Sequence, residues 1–234
     1  TPLLIVYALV NRFEMMDLQP DRSLIRKLLD LGLDIYVIDW GYADRSDAAL
    51  TMNDYVNGYI LDSVRFVARQ HGLKAINLLG VCQGGAFSLM FSALHPQRVR
   101  NLVTMDTPVD FDVNDGLLNI WAKRLDFDRV TEAYGAVSGE FLNVGFLMLK
   151  PFQKLDKYMN FLSLDSADKM TNFLRMEKWV FDSPNQAGEC YRQYMKELYQ
   201  QNRLVKGTLV LGGKPVLLGN IKAPLLNIYA AQDH

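Results

Sequence analysis

Residues 77–87 read NLLGVCQGGAF, and within them Gly80, Cys82 and Gly84 have the spacing Gly-x-Cys-x-Gly. A side chain with nucleophilic chemistry, set between glycines after an apolar run and before a helix, is the pattern of a nucleophile elbow, with cysteine where serine is usual. Gly80, Gly84 and Gly85 are the small neighbours that let the backbone bend sharply and the helix pack closely. A thiol at such a turn faces the open N–H groups and positive dipole end of the helix, which favour thiolate over thiol. The same amides can hold an oxyanion. The N–H of Gln83 is one expected donor, and the other is expected from Val10 or Asn11 in ALVNR, the loop after the first strand. A cysteine between glycines is also read as a small buried side chain, and Cys190, in GECYRQY, keeps that ordinary reading.

A cysteine nucleophile of this kind needs a histidine base and a carboxylate to orient it, in the chain order nucleophile, acid, histidine. The chain has three histidines. His71 precedes the strand leading to Cys82 and is separated from it by roughly 20 Å of strand rise. His95 closes the helix that starts beside Cys82, again roughly 20 Å away by helical rise, and there complements the helix C-terminus. His234 adjoins Asp233, and adjacent side chains in an extended segment point apart, so the two do not read as base and orienter. Asp233, after the strand PLLNIYA, is the expected acid, with Asp106 as a competitor and Asp39 a weaker one. The base itself is expected on a loop after one further strand, beyond residue 234.

The elements that must position these residues are read from hydrophobic pattern. LLIVYAL (3–9) is a continuous apolar run, as in a strand covered on both faces. PDRSLIRKLLDLG has helical spacing and a stop at Gly32, and DIYVIDW returns as a strand. Thr51 and Asp54 fit a capping box before a helix carrying Val56, Ile60, Val64 and Val67, and KAINLLG comes next as a strand. A third helix runs from the glycines to His95, and VRNLVTM is the fourth strand. Four strands alternating with three helices predict a parallel sheet with right-handed crossovers. From about 112 to 200 the pattern becomes helical, without a clear strand, and this stretch reads as an inserted cap. PLLNIYA is expected to rejoin the sheet. The predicted organisation is thus a core of residues 1–111 and 201–234 with a helical cap at 112–200.

Half of the 234 residues are hydrophobic, and 25 basic residues balance 26 acidic ones without long runs. Nothing in this suggests a nucleic-acid partner. The longest apolar stretch, FLNVGFLML, is far short of the roughly 20 residues of a membrane span. Two cysteines suit a reduced, cytoplasmic setting better than a disulfide framework. No resident cofactor or metal is expected. A start without Met and an end at YAAQDH read as an internal piece of a longer protein, truncated at both ends.

Six segments in order, PLLIVYALVNR, DIYVIDWGYADRSD, GVCQGGAFSLMFSALHP, NLVTMDTPVDF, EKWVFDSPNQAGECYRQY and YAAQDH, resemble the polyhydroxyalkanoate synthases, in particular the catalytic subunit of the two-subunit enzymes. The resemblance implies an α/β-hydrolase fold with a cap and a Cys-His-Asp triad that polymerises 3-hydroxyacyl-CoA into polyester and releases CoA. Under it Cys82 matches the nucleophile, Asp233 the acid and His234 a neighbouring family histidine, while the catalytic histidine has no counterpart. Trp179 matches a cap tryptophan and reads as structural. The CoA thioester is then substrate rather than cofactor, and a second synthase subunit, a homo-oligomer and the polyester granule surface are the implied partners and location. The rival readings are a cysteine hydrolase of the dienelactone-hydrolase kind, which has its own Gly-x-Cys-x-Gly-Gly elbow, and a non-catalytic acyl-binding domain.

Overall fold

The computed structural model describes residues 1–113, 117–149, 158, 159, 161 and 165–231. The first strand, β1 (Pro2–Val6), alternates its side chains between two apolar layers. Leu4 and Val6 enter the main cluster, and Leu3 and Ile5 enter a smaller one on the opposite face. Helix α1 (Leu24–Asp30) starts where the Ser23 hydroxyl accepts the Arg26 N–H at 2.8 Å, and its Leu24 and Leu28 pack on the smaller cluster. It leads to β2 (Asp34–Val37).

The predicted capping box is present. Thr51 N–H donates to Asp54 Oδ2 at 2.8 Å, and Asp54 N–H donates to Thr51 Oγ1 at 3.3 Å. The helix that starts here departs from regular α geometry. Residues Asp54–Ile60 form a π-helical stretch that tightens into α2 (Leu61–Gln70). Val56, Ile60, Val64 and Val67 nevertheless all face the main cluster, so the apolar spacing survives the wider turn.

Strand β3 (Ile76–Val81) delivers Cys82, α3 (Gln83–Leu94) comes next, and β4 (Val99–Met105) completes the alternation. Helix α3 lies under the sheet, and eleven of its twelve residues are buried. In the segment read as the cap lie α4 (Leu117–Ala122), α5 (Phe127–Tyr134), α6 (Gly139–Leu149), α7 (Ala167–Phe181) and α8 (Gly188–Gln193). A second π-helical stretch, Tyr194–Gln200, continues α8. The expectation of no strand in this segment is corrected by β5 (Ala136–Val137) and β6 (Gln186–Ala187), which pair antiparallel. Two residues a side are too few to leave an alternation in the sequence.

Beyond residue 200, β7 (Val210–Leu211) and β8 (Lys214–Pro215) form a small hairpin across Gly212 and Gly213, whose φ values of 56° and 74° suit its tight turn. Strand β9 (Leu225–Ile228) joins the main sheet as expected, giving five parallel strands in the order β2-β1-β3-β4-β9. The main cluster is continuous from the sheet into the 112–200 segment, through Phe127, Leu142, Cys190, Tyr194 and Leu198.

Candidate active site

Cys82 is the residue at which β3 ends and α3 begins. Its N–H donates to Met105 O at 2.8 Å, in line with the ladder to β4, while its own carbonyl accepts the Gly85 N–H at 2.9 Å, already helical. One residue must absorb the whole change of direction, and Cys82 does so with φ 53° and ψ −124°. A side chain held there costs about 1–3 kcal/mol, strain of the kind that collects at functional sites. The thiol is exposed, in contrast to Cys190, which is fully buried.

The glycines of the motif are accounted for by close approach. A Cβ on Gly84 would run into the carbonyl oxygens of Val6 and Tyr7, and one on Gly85 into the Thr107 side chain. Helix α3 therefore reaches the ends of β1 and β4 only because these two positions carry no side chain. Its twelve residues direct the positive end of their dipole at Cys82.

Gln83 comes directly after the thiol and is buried. Its side-chain oxygen accepts the Leu9 N–H at 3.1 Å and so ties the loop after β1 to the elbow. Val10 and Asn11 lie in that loop, both half-buried, and Asn11 takes φ 58°. The Asn11 amide donates to Trp179 O at 3.3 Å, Val180 O at 3.3 Å and Ser183 Oγ at 2.8 Å. In return Trp179 Nε1 donates to Arg12 O at 2.6 Å. The end of α7 thereby clamps the loop, and Trp179 acts through its hydrogen bond to the backbone.

The histidines at positions 71 and 95 are held at helix ends. His71 Nε2 lies 2.9 Å from the Tyr36 hydroxyl, and His95 Nε2 lies 2.7 Å from Asn57 Oδ1. His95 closes α3, as expected. Burial, with Arg98, Lys214 and Arg65 nearby, lowers its pKa and favours the neutral ring. Asp106 has φ 47°, donates its N–H to Ile228 O at 2.9 Å and accepts the Ala230 N–H at 3.1 Å, so it laces β4 to the chain after β9. Asp39 lies 3.6 Å from the Arg12 guanidinium. Asp233 and His234 lie outside the described residues.

Sequence reasoning missed Tyr7, whose backbone lies against Gly84 at the elbow, and two tyrosines packed on the main cluster, Tyr194 and Tyr199. Burial is the main cause that pushes the phenols of Tyr7, Tyr194 and Tyr199 up. Tyr7 read as one more core residue of the first strand. It lies just past β1, where its carbonyl accepts the Trp40 indole N–H at 3.0 Å. No local signal marks Tyr194 or Tyr199, which are more than a hundred residues from Cys82. A separate cleft of about 910 Å³, lined by Arg65, Arg69, Lys74 and Arg98, sits by the C-terminal ends of α2 and α3, the far end of α3 from the thiol.

The chain is 57% identical over 235 residues to the poly(3-hydroxyalkanoate) polymerase subunit PhaC of Allochromatium vinosum, covering 100% of this chain and 66% of that protein. Against the subunit of the same name from Synechocystis sp. it is 50% identical over 242 residues, covering 100% of this chain and 64% of that protein. The chain thus spans just under two thirds of the length of these curated relatives. A solved structure of a candidate lipase from Sulfolobus solfataricus superposes with a TM-score of 0.54 at 14% identity, covering 99% of this chain and 78% of that one, a likeness of fold alone. The family pattern for the alpha/beta hydrolase fold matches residues 1–234. That match runs the length of the chain and describes the architecture traced above, and the protein belongs to the alpha/beta hydrolase fold family.

Proposed function

We propose that the protein is the catalytic subunit of a polyhydroxyalkanoate synthase, an acyltransferase that polymerises 3-hydroxyacyl-CoA through an acyl-Cys82 intermediate. The observation that carries this reading is an exposed thiol on a strained elbow at the head of α3, in a chain 50–57% identical along its whole length to poly(3-hydroxyalkanoate) polymerase subunits. In the first step the Cys82 thiolate adds to the thioester carbonyl carbon of the substrate. The tetrahedral oxyanion is held by the Gln83 N–H and by an N–H of Val10 or Asn11, then collapses and expels CoA thiolate, which takes up a proton. One thioester replaces another, so the exchange is nearly balanced. In the second step the hydroxyl at the end of the growing chain loses its proton to a base while its oxygen attacks the acyl-Cys82 carbonyl. An ester forms and the thiolate returns.

In this reading Asp233 orients the base, and the base is a histidine outside these 234 residues. His71 and His95 are engaged at helix ends. Residues 1–234 alone are then expected to acylate at most and not to elongate. We assign residues 1–111 and 201–234 to the catalytic core and 112–200 to a cap that clamps the oxyanion loop through Trp179 and Asn11. A second synthase subunit, self-association and the surface of the polyester granule complete the proposal. Among the described residues no helix is long and apolar enough to cross a membrane.

The test supplies 3-hydroxybutyryl-CoA to the full-length protein with its partner subunit and tracks CoA release together with polymer. Cys82→Ser is expected to lose nearly all polymerisation, since an unactivated hydroxyl is a poor nucleophile, and mass spectrometry is expected to find acyl groups on Cys82. Release of free 3-hydroxybutyrate without polymer would point to the hydrolase alternative. Full activity in Cys82→Ala would sink the assignment.

A further inference from the structure

Val10 and Asn11 are the loop residues from which the second oxyanion N–H is expected, and among the described residues neither N–H has a hydrogen-bond acceptor. Both residues are half-buried, so their amides stay open to an acceptor that arrives with the substrate. The side chain of Asn11 is the opposite case. Its amide nitrogen donates at once to Trp179 O at 3.3 Å, Val180 O at 3.3 Å and Ser183 Oγ at 2.8 Å. Trp179 and Val180 are in the last turn of α7, where helix carbonyls run out of intrahelical donors, so Asn11 caps that helix from a distant part of the chain.

Helix α7 has no buried residue, so no core of its own fixes where its end meets the loop. Polar ties do that instead. Besides the Asn11 cap and the bond from Trp179 Nε1 to Arg12 O, the Tyr42 hydroxyl donates to Asp182 Oδ1 at 3.0 Å while the Arg12 guanidinium lies 4.9 Å from the centre of the Tyr42 ring. Ser183 Oγ in turn donates to Asn143 Oδ1 on α6 at 2.7 Å. At its other end the loop is held by the Gln83 side chain, through Leu9 N–H. Asn11 sits between these anchors at φ 58°, a conformation that asparagine tolerates better than most residues. That tolerance alone does not call for an amide engaged with three acceptors on another element.

We propose that the Asn11 side chain is a positioning group for acyl transfer: by capping α7 it fixes the left-handed turn that holds the open N–H groups of Val10 and Asn11 for the oxyanion. The end of α7 is then part of the oxyanion machinery and more than a cover over the thiol. Such donors work because they are in place before charge develops on the carbonyl oxygen. A misplacement of about 1 Å costs up to about a hundredfold in rate, so a loop released from α7 keeps its amides and loses much of their effect. This inference deepens the proposed function and rests on it, since it takes Cys82 as the nucleophile and the loop after β1 as the source of a donor.

The experiment compares two reactions of one thiol in the full-length protein with its partner subunit. The first is CoA release from 3-hydroxybutyryl-CoA, which passes through a tetrahedral oxyanion. The second is alkylation by iodoacetamide, in which the thiolate displaces iodide from a saturated carbon and no oxyanion forms; peptide mapping reads it at Cys82 apart from Cys190. Asn11→Gly accepts the left-handed backbone and deletes only the amide side chain. It is expected to lower kcat for CoA release about ten- to hundredfold with KM nearly level, and to leave the rate and pH midpoint of Cys82 alkylation in place. Trp179→Phe keeps an aromatic ring and loses the bond to Arg12 O; it is expected to shift the two reactions apart in the same direction, and it supplies the comparison if Asn11→Gly does not fold. CoA release at the parent rate in these variants would overturn the inference, because asparagine would then serve only its own backbone. A parallel loss of alkylation would overturn it too, because the elbow itself would have been distorted. Failure of Cys82 to alkylate in the parent would instead overturn the nucleophile assignment of the proposed function, and this inference with it.

Discussion

Replacing Cys82 by glycine should make the protein more stable while removing its reactive thiol. The side chain at this position is exposed, so deleting it forfeits little buried surface. The backbone at φ 53° and ψ −124° is one that glycine adopts readily and that costs any other residue about 1–3 kcal/mol. Against that relief stands the greater freedom of a glycine in the unfolded chain, about 0.5–1 kcal/mol. The difference is a gain of about 1 kcal/mol, which corresponds to about 2–4 °C in melting temperature for a domain of this size. Thermal denaturation monitored by circular dichroism reads it, with Cys82→Ala as the reference because it retains a Cβ and hence the strain. Cys82→Gly melting below Cys82→Ala would refute the idea that the elbow stores strain. It would mean that the turn is comfortable for an ordinary residue and that the Gly-x-Cys-x-Gly spacing has another cause.

Packing and the titrating groups set three further outcomes. Gly84→Ala should destabilise by at least about 2 kcal/mol, because its Cβ meets the backbone of Val6 and Tyr7 and rigid strand has nowhere to move; a urea midpoint equal to the parent's would contradict the close approach of α3. Burial lowers the pKa of His95, so the unfolded chain takes up a proton first as pH falls through about 6.5, and stability is lost downward from there; His95→Gln should flatten that slope in urea titrations between about pH 7 and 5. Arg192 holds the Glu189 carboxyl below its ordinary value, through contacts of 2.6 and 2.7 Å. Its contribution is full above about pH 4.5 and disappears as pH falls through the lowered value, so Glu189→Gln should cost stability at pH 7 and progressively less toward pH 3.

Much of the architecture was readable along the chain because it is built from local pattern. Alternation in Leu3, Leu4, Ile5 and Val6, helical spacing from Val56 to Val67, the Thr51–Asp54 box and the glycines around Cys82 each act over a few residues, and each is found in the structure. The resemblance spread over six segments rested on the same local residues. Where the reading fell short, the deciding forces were not local. Both π-helical stretches carry ordinary helical spacing, and their buried residues, Tyr55, Val56 and Ile60 in one and Tyr194, Met195 and Leu198 in the other, pack into the main cluster drawn from distant parts of the chain. The ribbon of β5 and β6 joins residues some fifty positions apart through two residues a side. The pKa of His95 is lowered by what buries it and by the cations nearby, of which Lys214 and Arg65 are far from it in sequence.

By itself the sequence determined the parallel sheet, the turn that holds Cys82 and the identity of the thiol, since hydrophobic period and the absence of a Cβ act on the nearest residues and need no partner. Only the tertiary structure decided how that turn is held: Trp179 and Asn11 join the end of α7 to the loop after β1, and the Gln83 side chain ties the same loop to the elbow. Those contacts join side chains to backbone groups 74 to 168 residues away, and their energies exist only once the chain has already brought the elements together.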